Sequence, residues 1–165
     1  MALDAYIQIK DIPGEALDEE HKDWIQVQEI QHAMHQKASP SQDDVGGITA
    51  AKAEHEPVRI RKAIDKASPV LAEKCSSGEH IPTVTIEMLR ASGKSRVKFI
   101  KIELAEAIVS DIAVAGQANG EAVPSEWISL RYGKIKWTYM SHGRDGNPGA
   151  TTPGGWDLTK NKKWG

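Results

Sequence analysis

Histidine is the residue type in this sequence with the widest potential for chemistry. The chain carries six histidines: His21, His32, His35, His55, His80 and His142. On a helix, His32 and His35 would share one face and could bind a metal ion together, whereas on a strand they would point to opposite faces. A strand is the preferred interpretation of this region. In addition, no carboxylate or thiol lies at a sequence spacing from the two histidines that would complete a metal site. The sequence therefore predicts no metal site.

A catalytic nucleophile or a phosphate-binding loop is not evident either. The chain has one cysteine, Cys75, which excludes an intramolecular disulfide. It lies towards the end of a predicted helix, where the helix dipole opposes a thiolate, so a buried structural cysteine is favoured. The sequence contains no glycine-rich phosphate loop, no GxSxG elbow and no HExxH motif. We expect no enzymatic activity and no cofactor.

The tryptophans offer stacking surfaces for sugars or bases, although packing in a core is the commoner role of a strand tryptophan. The chain has five, Trp24, Trp127, Trp137, Trp156 and Trp164. Trp156 and Trp164 lie in a polar, glycine-rich tail, where an exposed aromatic residue typically anchors an interface.

Composition places the chain among soluble globular proteins. Of its 165 residues, 39% are hydrophobic and 27% are charged, and the net charge is −2. This charge argues against nucleic-acid binding, which needs a basic excess. No apolar run approaches the ~20 residues that span a bilayer. The start MALDAYIQIK is unlike a Sec signal peptide, so we expect a cytoplasmic protein that is exported only by a route without a cleaved signal.

The elements that would position these residues are mostly strands. One long predicted strand is Glu126–Tyr139, rich in residues that suit a pleated surface. Its apolar residues pass from even to odd positions across Gly133, which predicts a β-bulge. The other clear strands are Leu3–Lys10, Val58–Ile64, Ile81–Leu89 and Val97–Val114, the last of which loses its alternation at Ala105–Ala107.

The alternation also predicts which side chains meet water. Tyr6 falls on the polar face of the first strand, and Glu87 faces outward beside an inward Val84, Ile86 and Met88. Asp18–Lys22 is predicted to be a charged surface loop. Asp23–Lys37 is read as a strand distorted at Glu29–Ile30, with a helix as the alternative.

One helix has clear signals at both ends. Ser68 is placed to cap it, Pro69 suits its first helical position and Gly78 suits a left-handed stop. We expect this short helix to pack on the sheets through Val70, Leu71, Cys75 and the stem of Lys74.

Two segments lack periodicity. Residues 38–57 are predicted to be an extended loop, either an exposed segment with few contacts or a docking loop for another subunit. Residues 141–165 are predicted to be a C-terminal tail. Residues 1–165 as a whole indicate a single, mainly all-β domain of about six to eight strands with one short α-helix, closed or nearly closed.

Three stretches together resemble one family. They are MALDAYIQIKDIPGE, AIDKASPVLAEKCSSGEHIPTVTIEMLR, and SLRYGKIKWTY followed by GWDLTKNKK. The chain resembles Hcp, the haemolysin-coregulated protein of bacterial type VI secretion systems, over nearly its whole length. It departs from the family at residues 28–33, where an aromatic WSWG-like run is often found.

The resemblance implies a two-sheet β-barrel with one flanking helix. It implies a structural subunit that forms homohexameric rings, which stack into a tube inside a contractile sheath on a baseplate. The tube would be expelled under a VgrG-family spike protein and secreted without a cleaved signal peptide, and small effector cargo would travel in its lumen. No nucleic acid and no membrane insertion are implied.

By position in the family, Gln31 and Gln117 are candidates for contact with cargo in the lumen, with ordinary surface glutamines as the alternative. The candidates for ring stacking lie in the extended loop: Asp43, Asp44, Val45, Gly46 and Gly47. Two other functions stay open, a stand-alone β-barrel that binds sugars or other small ligands, and a secreted Hcp-type effector. An effector would carry a toxin domain after the barrel, and the residues after the last predicted strand are too few for one.

Overall fold

The computed structural model describes residues 3–40, 48–92, 95–116, 123–143 and 147–165. Within these ranges there are fourteen strands and one helix, α1 (Ser68–Ser77). The strands are β1 Leu3–Ile9, β2 Ile25–Val27, β3 Glu29–Gln31, β4 Met34–His35, β5 Ala38–Pro40, β6 Ile48–Ala50, β7 Glu54–His55, β8 Val58–Ala63, β9 Ile81–Ser92, β10 Ser95–Ala115, β11 Ser125–Arg131, β12 Lys134–His142, β13 Pro148–Asp157 and β14 Lys162–Lys163.

Two antiparallel sheets share the long strand β10. Sheet A runs β2–β1–β9–β10–β12–β13–β14, and sheet B runs β3–β8–β11–β10. At the edges opposite β10, the chain passes from sheet A to sheet B between β2 and β3. There the Gln28 N–H donates to the Arg61 carbonyl oxygen at 2.8 Å. The predicted fold class, a mainly β, two-sheet barrel architecture with one helix, is confirmed. The helix alternative for residues 23–37 is wrong, and the strand distortion lies at Gln28 rather than at Glu29–Ile30.

The predicted break in the long strand is confirmed at Gly133. There the strand divides into β11 and β12, which pair with the second and first parts of β10. The Gly133 N–H donates to the carbonyl oxygens of Ala105 (3.1 Å) and Glu106 (3.2 Å). Glu106 has a φ of 55°, so β10 bends at the level where its alternation was predicted to fail.

The main core lies between the two sheets and under α1. Its fully buried members include Ile7, Ile25, Ile60, Leu71, Ile86, Leu104, Ile128, Leu130 and Ile135. Each such side chain contributes about 1.5–3 kcal/mol to stability relative to an exposed position. Val84 and Ile86 point inward as predicted, and Met88 is partly buried against this core.

A second, smaller cluster covers the outer face of sheet A, where residues 10–24 fold back over β1 and β9. Tyr6, Ala16 and Leu89 are buried there, with Trp24 packed against them. The His21 ring is fully buried and stacks on Tyr6 at 4.5 Å between centroids.

The contacts of His21 explain three wrong predictions, for Tyr6, for Glu87 and for the loop Asp18–Lys22. Its Nδ1 lies 2.7 Å from Asp18 Oδ1, and its Nε2 lies 2.9 Å from Glu87 Oε2. Tyr6 and Glu87 therefore do not face water, and Asp18–Lys22 is not simply a surface loop. The alternation in β1 and β9 is correct, but a later segment covers the face that was expected to be wet.

Helix α1 ends as predicted, at Gly78 in the left-handed conformation, whose N–H donates to the Lys74 carbonyl oxygen at 3.0 Å. Leu71 is buried and Cys75 packs against the core. Two expectations fail at the helix: Val70 is 37% exposed, and the N-cap residue is Ala67 rather than Ser68.

Ser68 instead joins a buried charge cluster that fastens the start of α1 to sheet B. The Lys62 Nζ lies 2.6 Å from Asp65 Oδ1, 2.8 Å from Glu126 Oε1 and 3.0 Å from Ser68 Oγ. The Ser68 hydroxyl also donates to Glu126 Oε1 at 2.7 Å. The inward position of Lys62 on β8 is thus compatible with burial because its ammonium group is paired.

The predicted C-terminal tail is a part of sheet A. Strand β13 pairs along β12 from Lys134↔Asp157 to His142↔Pro148, and β14 pairs with its end. Trp156 packs against the main core, so it is not an exposed interface anchor. Glycine, proline and threonine residues hide this strand from a hydrophobic pattern, because the ladder is formed by the backbone.

Candidate interaction surfaces

The first candidate surface is the outer face of sheet B, which we call the sheet-B face: Glu29, Gln31, Arg59, Arg61 and Trp127. Alternation turns these side chains outward because Ile60 and Ile128 between them are buried in the core. The pairings Glu29↔Arg61↔Trp127 and Gln31↔Arg59 place the five residues in adjacent rows.

Few polar contacts hold these side chains. Gln31 Nε2 donates to Glu29 Oε1 at 2.8 Å, and Arg61 Nε donates to Ser125 Oγ at 3.4 Å. The Arg59 guanidinium carbon lies 5.1 Å from the centre of the Trp127 ring, in cation–π geometry. Among the residues described, neither Arg59 nor Arg61 forms an ion pair. Both guanidinium forks can therefore bind carboxylates of another molecule.

The predicted site residues fall in different places. Gln31 is exposed on the sheet-B face, as a residue for contact with a ligand must be. Gln117 and the proposed stacking residues Asp43, Asp44, Val45, Gly46 and Gly47 lie outside the described residues, so their assignment stays a prediction.

The second candidate surface is an arm, defined as residues 33–40 and 48–56. It is not an irregular loop: β4 pairs with β7 and β5 pairs with β6, both antiparallel. These four strands pair with one another and with no described strand of sheets A or B. An exposed ion pair, Lys37 Nζ to Glu54 Oε1 at 2.6 Å, joins the two sides of the arm.

A group of aromatic rings, which we call the base cluster, lies where the arm leaves the barrel: His32, His55, Tyr132 and Trp137. The Tyr132 Oη lies 2.7 Å from His32 Nε2 and 3.1 Å from His55 Nδ1. The His32 and His55 rings are inclined to the Trp137 ring by 29° and 30°, with centroids 6.1 and 6.4 Å away.

A third candidate surface is a cleft of about 420 Å³ beside β13 and β14. It is lined by Lys136, Gly155, Trp156, Lys163 and Trp164, among others. Trp164 is half-buried in its wall rather than projecting as an exposed anchor.

Comparison with known proteins decides the family. The model of the family "Type VI secretion system effector, Hcp" matches residues 6–139. The chain belongs to the Hcp family. It is 32% identical to Protein hcp1 of Pseudomonas aeruginosa strain PAO1 over 162 residues, covering 98% of each chain. It is 29% identical over 150 residues to the Major exported protein of the same organism, covering 87% of this chain and 85% of that protein.

A solved structure of a type six secretion system protein superposes on this Hcp chain with a TM-score of 0.91. That protein is 29% identical, and the match covers 99% of this chain and 100% of the other. The sheet-B face, the arm and the base cluster all lie within the region matched by the Hcp family model. No helix among the described residues has the length and apolar character that a membrane crossing needs.

The electrostatics of the base cluster follow from partial burial in this Hcp chain. Burial lowers the pKa of His32, and the nearby His55 lowers it further. Burial also lowers the pKa of His55 and raises that of the Tyr132 hydroxyl. All three groups are therefore uncharged at neutral pH.

Sequence reasoning missed the base cluster. It compared His32 with its neighbour His35, whereas the fold brings His32 to His55, 6.4 Å away between ring centroids. Tyr132, which joins the two, is 100 positions after His32 in the chain. The described residues contain no group of three or more His, Cys, Asp or Glu side chains that could hold a metal ion. One signal was present: His32 lies shortly before the aperiodic segment 38–57, and His55 lies close to its end.

Proposed function

We propose that this Hcp protein is a structural subunit of the inner tube of a type VI secretion system. In this role six copies form a ring, and rings stack into a tube that is expelled from the bacterial cytoplasm without a cleaved signal peptide. The observation that carries the proposal is the match over nearly the whole chain, in sequence and in fold, to type VI secretion proteins. The role needs no catalytic residue and no cofactor.

We assign the arm to contacts between stacked rings. It projects as paired strands that are separate from both sheets, which suits a segment that reaches a neighbour. The residues Asp43, Asp44, Val45, Gly46 and Gly47, between β5 and β6 in the chain, are the proposed stacking residues. The other partners proposed are a VgrG-family spike protein, the contractile sheath, the baseplate and effector cargo.

We assign the sheet-B face to the lumen, with Gln31 and Gln117 as cargo contacts. Gln31 pairs with Arg59 across the ladder, and the Arg59 guanidinium lies over the Trp127 ring. These groups combine hydrogen-bond donors with a flat apolar surface, the types that are enriched at protein interfaces. Polar side chains on this wall keep the lumen hydrated and able to admit a small folded effector.

Mass in solution tests the tube role first. Light scattering on a size-exclusion column should show a species near six times 18.1 kDa. A protein that stays at 18.1 kDa when concentrated would remove the ring on which the role depends. It would favour a stand-alone ligand-binding barrel, and ligand titrations at the tryptophans would follow.

A substitution tests the lumen assignment separately. We expect Gln31→Arg to leave the ring mass unchanged and to alter the amount of effector that co-purifies with the ring, because the new charge would face the cargo. Gln8→Arg is the matched control, since Gln8 is also an exposed glutamine and lies on β1 of sheet A. Unchanged co-purification in Gln31→Arg, or an equal change in Gln8→Arg, would refute the assignment.

A further inference from the structure

The base cluster connects both sides of the arm to the hydroxyl group of Tyr132. His32 follows β3 just before the outgoing side of the arm, and His55 ends β7 on the returning side. Tyr132, at the break between β11 and β12, contacts both. We propose that the base cluster is a pH-sensitive latch, which holds the arm at neutral pH and releases it when both histidines are protonated.

Counting protons shows why the second protonation weakens the latch. Tyr132 has one O–H to donate and can accept from a second group, so two neutral histidines are both satisfied when one donates and the other accepts. A single imidazolium can still donate to the Tyr132 oxygen while the hydroxyl donates to the other ring. Two imidazolium rings are both donors, and the hydroxyl proton then has only the Glu56 carbonyl oxygen, at 3.5 Å.

The surroundings make two positive charges in the base cluster unfavourable. The imidazole centroids are 6.4 Å apart, and partial burial weakens screening by water. The charged side chains that line the adjoining clefts are Glu56, Arg59 and Arg131. One carboxylate thus faces two guanidinium groups, so the nearby charges do not compensate a doubly protonated cluster.

The direction of the pH effect follows from the lowered histidine pKa values. Above the ordinary value of about 6.5 both rings are neutral in the latched and released states, so the latch has its full strength. As pH falls below that value, the released state takes up protons first and the latch weakens. The loss is complete once pH is below the lowered values in the latched state.

The consequence for tubes rests on the proposed function. If the arm joins stacked rings, acidification weakens the stacking of rings without unfolding the barrel. The latch itself is a property of one chain, and it can be tested whether or not rings stack.

Hydrogen–deuterium exchange of the arm reports release, because a two-stranded ladder without its anchor on the barrel is only marginally stable. The full-length protein is compared at about pH 7.5 and about pH 5.5, with exchange times scaled for the intrinsic rate at each pH. We expect protection of residues 33–40 and 48–56 to fall about tenfold at the lower pH, the factor that corresponds to one or two net hydrogen bonds. Protection of β9 should be unchanged. Ring mass at both pH values, from light scattering, separates a failed latch from a failed oligomer.

Variants identify the groups that titrate. In His55→Gln the second charge cannot form and only the contribution of His32 remains, so the pH effect on the arm should be clearly smaller than in the wild type. His32→Gln should behave alike and serves if His55→Gln does not fold. His35→Gln is the matched control, an exposed histidine on the same arm outside the base cluster, and should keep the full effect. Constant arm protection in the wild type, or a pH effect of undiminished size in His55→Gln, would overturn the latch.

Discussion

Replacing Lys62 with methionine should be among the most destabilising single changes in this protein. The change keeps the length of the side chain but removes the ammonium group that lies 2.6 Å from Asp65 Oδ1 and 2.8 Å from Glu126 Oε1. Lys62 is fully buried, and the Glu126 side chain is only 3% exposed. The variant therefore leaves a buried carboxylate without a counter-charge.

The magnitude follows from what each carboxylate retains. Glu126 keeps the Ser68 hydroxyl, and Asp65 keeps the Ala67 N–H and some contact with water. Removing one partner of a buried pair costs about 3–5 kcal/mol, and these remaining contacts place the expected loss near the lower end, at about 3 kcal/mol. For a chain of this length, that corresponds to a fall in Tm of about 6–12 °C.

Calorimetry and urea unfolding, at one protein concentration for all variants, measure the loss. Lys37→Met is the matched control: its ion pair with Glu54 has the same 2.6 Å separation, but its side chain is 71% exposed. We expect no measurable change in its Tm. The double variant Lys62→Met/Glu126→Gln should recover part of the loss, because the unpaired charge is removed with the ammonium. A loss in Lys62→Met as small as in the control would refute the reasoning.

Two further substitutions test packing. Gly14→Ala should lower the free energy of unfolding by about 1–3 kcal/mol in urea, because an added Cβ would lie 2.4 Å from the Trp24 carbonyl oxygen. The control Gly154→Ala has open space around the added Cβ and should be neutral. Equal effects of the two substitutions would contradict the argument. Leu71→Ala should lower the free energy of unfolding by about 2–5 kcal/mol, because it leaves a cavity under α1. Val70→Ala, on the exposed side of the helix, should have little effect. Similar Tm values for the two variants would show that α1 packs differently.

Local sequence patterns predicted the strands in which apolar and polar residues alternate regularly. The alternation in Leu3–Lys10, Val58–Ile64 and Ile81–Leu89 reflects one buried face, which each strand keeps whatever its partners are. The breaks at Gly133 and at Ala105–Ala107 were also visible, because a bulge shifts the apolar positions by one. The motifs of the Hcp family then indicated the architecture.

Patterns failed where a backbone ladder or a later segment determines the environment. Strand β13 and the arm have little apolar periodicity, since their pairing depends on N–H and C=O groups that every sequence carries. Tyr6 and Glu87 occupy a face of sheet A that residues 10–24 cover, and nothing in the alternation of β1 or β9 specifies that cover.

The candidate surfaces divide in the same way. Gln31 could be placed on an outward face from its strand and its position in the family. The Arg59–Trp127 contact needed the register between β8 and β11, and the base cluster needed His32, His55 and Tyr132 to meet across distant parts of the chain.

The sequence by itself therefore determined the family, the strand periodicity and the bends, because these depend on residue types and on spacings of a few positions. Only the tertiary structure decided which charged and titratable groups are buried together, at Lys62, at His21 and at the base cluster. Burial and pairing depend on distances in space between residues that are far apart in the chain. Those distances set both the cost of a buried charge and the pH at which a histidine takes up a proton.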